Sequence, residues 1–516
     1  MDLNLLLDMV AEGMPDRVVL GSAETGMTAA QLRRRAENGA AVLRDTGAGH
    51  LVYIGISDEM FPVSLFAASR AGVPFVPLNY RLATDQLAAL VAENSAAYVI
   101  ADREILDGIG ADPARSATSA QWMARTGQDI PAAAVPVGDP DSVALLLYTS
   151  GTTAAPKAAV LRHRHLTAYV FSTVEFAGAA PEACTLVAVP PYHIAGVANT
   201  ITNLYAGRRV VHLRQFTPEG WLATVAREGV SQVMVVPTML SRVVAHLEQT
   251  GEPVPRSLRS IAYGGAPMPT RVIEQALALF PDVDFVNAYG LTETSSTIAV
   301  LGPEDHRSAV ADADPDIRAR LGSAGRLVPD LEAEIRDPEG RTLPAGEVGL
   351  LFVRGEQVSG EYRGGAAVGA GDWFATRDLA RIDAEGYLFI HGRADDTIIR
   401  GGENIAPAEI EHVLEQHSTV AEAAVVGVPD EEWGQRIAAA VVGRPGRVPD
   451  PAALREWVRA ALRGSKTPDL VHVLDELPRT DTGKILRRAL VPVLASLPPS
   501  TPRPPAVGSY SLEATS

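Results

Sequence analysis

The amino-acid sequence predicts an α/β protein with a large N-terminal domain of doubly wound βαβ sheets, a β-rich subdomain and a small α+β C-terminal domain. Apolar strands alternate with amphipathic helices between about residues 52 and 290, a pattern typical of parallel sheets covered by helices. Beyond about residue 320 paired strands replace this alternation, and a further mixed section starts near Asp395. Since 516 residues exceed what one hydrophobic core usually serves, several domains are expected.

The alternating region contains the elements of the predicted parallel sheets. In chain order they are the strand LVYIGIS, the helix MFPVSLFAASRAG, the strands VPFVPL, SAAYVIA and RRVVHL, the helix PEGWLATVAREG, the strand VSQVMVVP, the helix TMLSRVVAHLEQ, the strand SLRSIAYGG, the helix PTRVIEQALALF and the strand DFVNAYG. Ligands gather at the carboxyl ends of strands in such sheets. GGAPMP, residues 264–269, and YGLTET, residues 289–294, fall at such ends.

The later part of the chain predicts hairpins and then a small domain. LEAEIRDPEGRTL and ATRDLARIDAEGYLFIHGR predict hairpins with DPEG and DAEG as turns. The helix APAEIEHVLEQH, the strands AEAAVVGVP and IAAAVVG, and the helix DPAALREWVRAALRG follow. The last helix has Asp450 as N-cap, Pro451 at its first position and Gly464 past its end. Its predicted apolar face consists of Leu454, Trp457, Val458, Ala461 and Leu462.

Composition excludes several classes of protein. A net charge of −17 disfavours a nucleic-acid or anionic-membrane partner, since either calls for a basic patch. The acidic N-terminus does not resemble a secretory signal, and we expect no transmembrane segment because no apolar run approaches about 20 residues. The single cysteine, Cys184, excludes internal disulfides, fits a reducing cytoplasm, and is a poor candidate nucleophile at the start of a predicted strand.

The segment YTSGTTAAPK, Tyr148 to Lys157, combines the residue types that bind polyphosphate. Gly151 lets the backbone turn N–H groups toward an anion, the hydroxyls add donors, and Lys157 adds a mobile positive charge. These ten residues alone fit a polar surface turn equally well. A P-loop is excluded because Pro156 and Ala158 flank the lysine where glycine and a hydroxyl belong, and because a short strand follows where a helix should begin. The spacing of a Rossmann fingerprint is also missing.

Lysine is rare in this chain. Of 45 basic residues only Lys157, Lys466 and Lys484 are lysines. A position that keeps lysine is therefore a candidate for a task that needs a compact, flexible charge rather than a planar guanidinium.

The segment TSGTTAAPK resembles the phosphate loop of the adenylate-forming (ANL) superfamily, which includes acyl- and aryl-CoA synthetases, peptide-synthetase adenylation domains and firefly luciferase. The superfamily's other motifs follow in order, as PPYHIAG (190–196), YGGAPMP (263–269), NAYGLTET (287–294), GEVGLLFVRG (346–355), TRDLARIDAEGYLFIHGRADDTI (376–398), GGENIAPAEIE (401–411) and LPRTDTGK (477–484). The resemblance reaches about residue 490 and implies ATP-dependent activation of a carboxylic acid with magnesium. It places a large domain at 1–393, a hinge at 394–396, a mobile small domain at 397–495 and a disordered tail at 496–516.

The resemblance also implies a nucleotide site. The β- and γ-phosphates would be held by Thr149, Ser150, Gly151, Thr152, Thr153 and Lys157. Adenine or the acyl group would be flanked by Gly264, Gly265 and Ala266, and the adenine would lie against Asn287, Ala288 and Tyr289, with Gly290 also in the nucleotide site. Thr292 would contact the α-phosphate, and Glu293 would ligate magnesium, a hard cation suited to carboxylate oxygen. Asp378 and Arg393 would hold the ribose hydroxyls, although as isolated residues each would more often be a surface charge.

Further implied roles concern the small domain. Lys484 would bridge the carboxylate and the α-phosphate during adenylation, and Asp395 would be the hinge between an adenylating and a thioester-forming pose. Gly402 and Glu403, in a loop with Gly401 and Asn404, would face the site in the second pose. Two departures stand out: Ala154 and Ala158 replace common loop glycines, and Thr376-Arg377-Asp378 replaces the family's T-G-D. A Cβ at residue 154 is expected to stiffen the loop or slow ATP binding. Lys466 is assigned a structural role.

The substrate is expected to be a fatty or aryl acid. His193 occupies a position that lies near the acyl pocket in acyl- and aryl-CoA synthetases, and PYHIAGVAN lacks the aspartate of amino-acid-activating relatives. The pocket is predicted to include Thr200 to Asn203 and Tyr263. CoA is favoured as acceptor over a carrier-protein thiol, and a non-catalytic sensor is the alternative outside this class. Chain length of the acid and oligomeric state, a homodimer included, stay open.

Overall fold

The computed structural model describes residues 1–128, 138–149, 157–365, 368–369, 371–400, 403–430, 433–462, 464–480 and 483–497. The chain divides into two compact units. The larger one comprises Met1–Thr376 and Ala380–Ile390, and the smaller one comprises Arg377–Leu379 and the chain from His391 onward. A large N-terminal and a smaller C-terminal domain are thus present, as the sequence predicts. The segment Arg377–Leu379 belongs to the smaller unit although it lies within a strand.

The larger unit begins with elements that alternate between strands and helices. Up to the phosphate loop these are α1 Leu3–Gly13, β1 Val18–Leu20, β2 Met27–Thr28, α2 Ala29–Asp45, β3 His50–Ile54, α3 Met60–Ala71, β4 Phe75–Pro77, α4 Thr84–Glu93, β5 Ala97–Ala101, α5 Arg103–Gly108, β6 Ser116–Ala117, α6 Ser119–Thr126 and β7 Val143–Thr149. After it come β8 Lys157–Arg162, α7 His163–Thr173, β9 Cys184–Val187, α8 Ile194–Tyr205, β10 Arg209–His212, α9 Pro218–Glu228, β11 Gln232–Val235, α10 Pro237–Thr250, β12 Ser260–Gly264, α11 Thr270–Leu279, β13 Asp284–Leu291, β14 Ser296–Leu301, α12 Pro303–Ala311 and α13 Pro315–Ala319.

The remaining strands and helices form the β-rich section and the smaller unit. The β-rich section contains β15 Arg326–Leu327, β16 Glu332–Arg336, β17 Gly349–Arg354, β18 Glu361–Tyr362, β19 Phe374–Ile382 and β20 Leu388–Arg393. The smaller unit contains β21 Ile398–Arg400, β22 Glu403–Ile405, α14 Pro407–Glu415, β23 Val420–Asp430, β24 Gly434–Gly443, α15 Pro451–Ala461, β25 Leu470–Leu474 and α16 Arg487–Ala495.

Two large sheets organise the N-terminal part. One has the strand order β15-β14-β13-β12-β11-β9-β10-β1-β2, and the other has the order β18-β8-β7-β4-β3-β5-β6. One buried apolar cluster contains residues of both sheets and of α1, α2, α3, α7 and α8, so these helices pack between the sheets. Separate clusters with α9, α10 and α11, and with α4 and α5, cover the outer faces. Helices on both faces confirm the doubly wound α/β prediction.

Two smaller sheets complete the fold. The β-rich section forms a sheet in the order β16-β17-β19-β20, which includes both predicted hairpins. In the smaller unit the order is β22-β21-β24-β23, with β25 parallel to β24. Its two faces carry separate apolar clusters, one with α14 and α15 and one with α16.

The predicted helix of the small domain forms with two corrections, of which the first is that Ala461, assigned to the apolar face, is exposed. Asp450 caps α15 by accepting the N–H of Ala452, and Leu454 and Val458 are fully buried. Trp457 is 41% exposed, so its assignment to the buried face is wrong. Its indole N–H donates to the carbonyl of Val413, and this polar bond keeps the ring at the rim of the core.

Two further predictions concern the C-terminal tail and transmembrane segments. The predicted disordered tail lies outside the described residues from position 498 onward. Among the helices of the described residues, none is long and apolar enough to cross a membrane.

Candidate active site

The phosphate loop connects two antiparallel strands. Thr149 ends β7, Lys157 begins β8, and the two residues are direct cross-strand partners. The Thr149 hydroxyl donates to the Lys157 carbonyl over 3.3 Å, and Lys157 is exposed. A strand after Lys157, where a P-loop requires a helix, agrees with the exclusion of that motif. The predicted phosphate ligands Ser150, Gly151, Thr152 and Thr153, together with Ala154, lie outside the described residues.

Ala158 fills a position where related loops have glycine. Its side chain is buried opposite Tyr148, and its carbonyl accepts the N–H of Arg363 over 2.9 Å. An open cavity of about 410 Å³ begins here, lined by Glu93, Tyr148, Lys157, Ala158, Tyr362, Arg363, Gly364 and Gly365. The methyl group of Ala158 is therefore part of the wall beside Lys157.

The predicted adenine residues lie on the adjacent parallel strands β12 and β13. Gly264 pairs with Ala288, and a Cβ at residue 264 would collide with the Ala288 carbonyl oxygen. Gly265 follows with φ +83°, a conformation that favours glycine, and it is exposed. Ala266 is half-buried directly after it. This edge of the sheet thus exposes backbone with little side chain, a surface against which a planar group can lie.

The side chains of Asn287 and Tyr289 on β13 are both in contact with other parts of the larger unit. The Asn287 amide donates to the Ser323 carbonyl over 2.9 Å, and Tyr289 packs against the apolar cluster beneath β14. Because both side chains are fixed by the protein itself, the backbone of residues 287–289 has one defined position.

The segment Leu291–Ser296, which we call the Glu293 turn, has a strained backbone. A Cβ at Gly290 would collide with the Ser296 carbonyl, so the chain can reverse here only with glycine. Thr292–Thr294 forms a short 3₁₀ turn, after which Ser295 and Ser296 have φ values of +57° and +119°. Such conformations cost about 1–3 kcal/mol each and cluster at functional sites.

A second segment, Gln357–Tyr362, binds the Glu293 turn and is called the strap here. The buried Gln357 amide donates to the carbonyls of Thr294 and Thr297 over 3.0 and 2.9 Å. The N–H groups of Ser359 and Gly360 donate to the Glu293 carbonyl over 2.8 and 3.1 Å.

The strap also holds the carboxylate of Glu293. The Tyr362 hydroxyl donates to Glu293 Oε1, while Tyr362 pairs with Ala159 of β8. Glu361 forms a bidentate ion pair with Arg162 at the other end of that strand. The strap therefore ties the Glu293 turn to the strand that begins at Lys157.

His193 lies in the loop that follows β9 and precedes α8. It is the N-cap residue of α8, and its ring stacks on Tyr192 with 4.7 Å between ring centroids. Tyr192 in turn contacts Tyr80 edge-on at 5.8 Å. A Cβ at Gly196 would lie 2.5 Å from the Pro190 carbonyl, so glycine allows α8 to begin directly against this loop. His193 is thus at the carboxyl edge of the sheet that also carries Gly264.

The predicted acyl-pocket residues are packed more tightly than expected. Thr200 and Tyr263 are both 0% exposed. The Thr200 hydroxyl donates to the Gly196 carbonyl, and the Tyr263 hydroxyl bonds to Nε2 of the buried His306 over 2.9 Å. Asn203 donates to Asn199 within α8. Thr200 and Tyr263 have no surface for a ligand, so the prediction that they line a pocket is wrong for these two residues.

In the smaller unit the predicted ribose ligands form an ion pair with each other. Arg393 Nη1 lies 2.9 Å from Asp378 Oδ1, with the carboxylate buried and the guanidinium half-exposed. Arg377, at the family's glycine position, has φ +65°, in the left-handed region. Its guanidinium lies 3.7 Å from Asp395 Oδ2, the predicted hinge residue.

Two of the three lysines are in the smaller unit. Lys484 is exposed and follows a tight turn in which the Gly483 N–H donates to the Thr480 carbonyl over 2.8 Å. Lys466 is paired at 2.5 Å with Glu409, in agreement with a structural role. Glu403 is half-buried on β22, opposite Arg400, and Gly402 lies outside the described residues.

Cys184 is buried at the start of β9, as predicted. Burial raises the pKa of its thiol to about 11. The thiol is therefore protonated at neutral pH and unsuited to act as a nucleophile.

Sequence reasoning missed the groups that hold the site together. Tyr362, Gln357 and Arg363 were not selected, although they follow the motif GEVGLLFVRG within eight residues of its end. Arg363 donates to Asn94 Oδ1 over 2.8 Å and contacts the hydroxyl of Tyr148. Their only signal in the sequence was a run of polar and glycine residues between two predicted strands.

Comparisons with known proteins agree with this geometry. The family of AMP-binding enzymes matches residues 7–363, and the C-terminal domain of AMP-binding enzymes matches residues 409–484. The chain belongs to this family of adenylate-forming enzymes. Relatives include a feruloyl-CoA synthase from Amycolatopsis sp, 34% identical over 92% of this chain and 95% of its own length. The fatty acid–[acyl-carrier-protein] ligase ScoC from Streptomyces coeruleorubidus is 32% identical over 90% of this chain and 91% of its own length.

A solved structure gives a similar result. O-succinylbenzoate coenzyme A synthetase (MenE) from Bacillus subtilis, in complex with ATP and magnesium ion, is 28% identical with a TM-score of 0.79. The match covers 94% of this chain and 98% of that one.

Proposed function

We propose that this protein is an AMP-forming acid–CoA ligase. An oxygen of the acid's carboxylate attacks the α-phosphorus of ATP, the bond from that phosphorus to the bridging oxygen of the β-phosphate breaks, and pyrophosphate leaves. The thiol of CoA, after losing its proton, then attacks the carbonyl carbon of the acyl-adenylate and AMP leaves. Activation is needed because a free carboxylate has a poor leaving group and repels nucleophiles.

The observation that carries the proposal is the connection between Glu293 and Lys157. The strap bonds to the Glu293 backbone and carboxylate and pairs with β8, which Lys157 begins. The strap and β8 thereby connect Lys157, the proposed ligand of the outer phosphates, with the carboxylate of Glu293. At the end of β12, the exposed backbone of Gly265, which follows the buried Gly264, is where a planar base would lie.

The residues present fit a magnesium ion shared with the nucleotide. Among the described residues no cluster of three or more metal-binding side chains exists, and Glu293 supplies a single carboxylate. Magnesium commonly takes one or two carboxylates and completes its shell with phosphate oxygens and water. Glu293 is the residue that would hold it, and the ion would neutralise charge on the phosphates. Thr292, next to Glu293, would contact the α-phosphate.

Lys484 is assigned to catalysis and Lys157 to binding. In the adenylating step Lys484 would stabilise the negative charge that develops between carboxylate and α-phosphate. Asp378 and Arg393 would exchange their mutual bond for bonds to the ribose hydroxyls. Asp395 would act as the hinge that turns the small domain toward the second step, in which Gly402 and Glu403 face the acceptor thiol. The placement of the hinge between the two domains at residues 394–396 is also part of this proposal.

The acid is proposed to be a fatty or aryl acid. The aromatic side chains of Tyr80 and Tyr192 fix His193 at the expected acyl end of the site. Named relatives act on aryl and on fatty acids, as feruloyl-CoA synthase and ScoC illustrate. We also propose a cytoplasmic location, which is supported by a single cysteine that can form no internal disulfide.

A panel of carboxylic acids, assayed for pyrophosphate with and without CoA, tests the proposal. Fatty acids of graded length and substituted cinnamic and arylacetic acids should include one that releases pyrophosphate with ATP and magnesium and forms a thioester when CoA is added. Absence of pyrophosphate with every acid would favour a non-catalytic acyl or nucleotide sensor.

A carrier protein is the second candidate acceptor. The 32% identity with ScoC, a ligase for an acyl-carrier protein, favours keeping this alternative. Acyl-AMP that accumulates and reacts with a phosphopantetheine carrier but never with CoA would establish it.

A further inference from the structure

We propose that Arg487 is a positioning residue that fixes the hairpin carrying Lys484 to Asp396, the last residue of the predicted hinge. The inference rests on the proposed function, in which Lys484 catalyses adenylation. All of the groups involved belong to the smaller unit.

The hairpin around Lys484 is tightly bonded internally. We call residues 478–486 the lysine hairpin, of which 478–480 and 483–486 are described. The Thr480 N–H donates to the Lys484 carbonyl over 2.7 Å, and the Lys484 N–H donates to the Thr480 hydroxyl over 3.1 Å. The Leu486 N–H donates to the Pro478 carbonyl over 2.7 Å. These bonds join residues 478–480 to residues 484–486, so the attachments of these two strands decide where the Lys484 backbone lies.

Two arginines attach the hairpin to the domain, one at each end. Arg479 Nη1 donates to the Gly483 carbonyl over 2.6 Å, and its Nη2 lies 2.7 Å from Glu422 of β23. Arg487, the first residue of α16, donates through Nη2 to both carboxylate oxygens of Glu411 at 2.8 Å. Glu411 Oε1 also accepts the N–H of Val425 over 2.7 Å, so this carboxylate is itself fixed between α14 and β23.

Arg487 also connects the hairpin with the hinge region. Its Nη1 lies 3.5 Å from Asp396 Oδ2, and Asp396 is the residue after the predicted hinge Asp395. The three side chains are mostly buried, with exposed fractions of 26% for Arg487, 12% for Glu411 and 31% for Asp396. The planar guanidinium of Arg487 thus binds the carboxylates of Glu411 and Asp396 at the same time. A lysine, with a single ammonium group, could not bind both with this geometry.

This arrangement has a mechanical consequence. A rotation at residue 395 moves Asp396 first, and Arg487 transmits that movement to the lysine hairpin, in which Lys484 lies three residues before it. Without Arg487 the hairpin keeps its internal bonds and the Arg479–Glu422 ion pair, but it loses its contacts with Glu411 and Asp396 and is held less precisely relative to the hinge. Small errors in the placement of a catalytic group lower the rate strongly, by about 100-fold for an error of about 1 Å.

The test compares both half-reactions in Arg487→Gln and Lys484→Ala, using the full-length chain. Arg487→Gln should lower kcat for acyl-adenylate formation about 10- to 100-fold with KM for ATP nearly unchanged, since the nucleotide contacts stay in place. Thioester formation from supplied acyl-AMP should stay within about twofold of the original chain. The exposed neighbour Arg488, changed to Gln, is the matched control and should leave both steps unchanged.

A double variant separates positioning from general loss of structure. If Arg487 acts through Lys484, Arg487→Gln should have no further effect on adenylation in the Lys484→Ala background. An equal loss in both backgrounds, or an equal loss in both half-reactions, would overturn the inference. Should Arg487→Gln fold poorly by circular dichroism, Asp396→Asn weakens only the contact to the hinge and should give a smaller loss of the same kind. If Lys484→Ala itself leaves adenylation intact, the assignment of Lys484 is at fault rather than that of Arg487.

Discussion

Gly264 has to be glycine because the carbonyl oxygen of Ala288 occupies the place where a Cβ would lie. The constraint comes from the parallel pairing of β12 and β13, in which the two residues are direct partners. The same pairing buries Gly264 and leaves Gly265 exposed at the end of the strand, where the adenine is proposed to lie.

Gly264→Ala should therefore weaken both stability and nucleotide binding. Overpacking of this kind typically costs about 1–3 kcal/mol, and a shift of either strand displaces the surface proposed to carry adenine. Urea unfolding and titration with ATP in the presence of magnesium measure the two effects. Gly322→Ala, at a position with nothing within 4 Å of the added Cβ, is the control and should change neither. Unchanged ATP affinity in Gly264→Ala would contradict the placement of adenine here.

Glu415 gives the small domain a pH-dependent stability. Burial, followed by the charge of Glu411, raises the pKa of its carboxyl group from 4.5 to about 7. A raised pKa means that the folded state retains a proton that the unfolded state has released. The stabilisation is complete below about pH 4.5 and is lost as the pH rises to about 7.

Glu415→Gln, which mimics the protonated form, should remove this dependence. At pH 8 the variant should be more stable than the original chain by up to about 3 kcal/mol, and the difference should fall toward zero near pH 4.5. Urea unfolding at several pH values measures it. Glu456→Gln on the exposed surface of α15 should stay within about 0.5 kcal/mol at every pH. A gain of the same size at pH 5 and pH 8 would mean that packing and not ionisation is responsible.

The strap shows how one short segment can organise several motifs. Its bonds fix a strained turn whose serines would otherwise relax, and they order the carboxylate of Glu293 before any ligand arrives. Ordering in advance removes a side-chain entropy cost of about 1–2 kcal/mol from the binding step.

Tyr362→Phe should weaken magnesium binding, because the Glu293 carboxylate would then have to be ordered on binding. Loss of the hydroxyl frees the Glu293 carboxylate, and hydrogen bonds to charged groups contribute about 1.5–3 kcal/mol, so the magnesium concentration for half-maximal adenylation should rise about tenfold. The melting temperature should change little because the ring stays in place. Tyr387→Phe removes a comparable bond, 2.6 Å from Asp305, and should leave the magnesium dependence unaltered. An unchanged magnesium requirement in Tyr362→Phe would argue against Glu293 as the metal ligand.

The elements that the sequence predicted well are those with a clear period. The strands β11, β12 and β13 and the helices α10 and α11 were located because apolar spacing and flanking glycine or proline agree there. Helix α8 was not predicted, because its sequence IAGVANTITNLY is rich in β-branched residues, which disfavour helix. The segment is helical because its apolar residues pack between the two sheets. The bonds of Tyr362 to Glu293 and of Arg487 to Glu411 join residues far apart in the sequence, so no local pattern could reveal them.

At the scale of the whole molecule, the proposed reaction divides between two compact units. The larger one contains Lys157 and Glu293, and the smaller one contains Lys484 and the Asp378–Arg393 pair. A protein built in this way can separate two chemical steps because one unit supplies different residues to each.

Lys484→Ala tests that division of labour. The variant should lose acyl-adenylate formation almost completely, because the positive charge at the reacting centre is gone. Thioester formation from supplied acyl-AMP should be largely retained, since the proposed second step relies on Gly402 and Glu403 instead of Lys484. Separate assays of pyrophosphate and of thioester measure the two steps. Equal loss of both would contradict the two-pose assignment.

The scarcity of lysine has a consequence for chemical labelling. Lys466 is held by Glu409, whereas Lys157 and Lys484 are exposed and stand at the two positions proposed to contact phosphate. In most proteins an amine-reactive reagent modifies many surface lysines without discrimination. In this chain the primary amines outside the N-terminus are only three, so a general acylating reagent has few targets, and two of them are the lysines proposed to contact phosphate. The reactive acyl-adenylate made by the enzyme likewise meets very few amines on the protein that could intercept it.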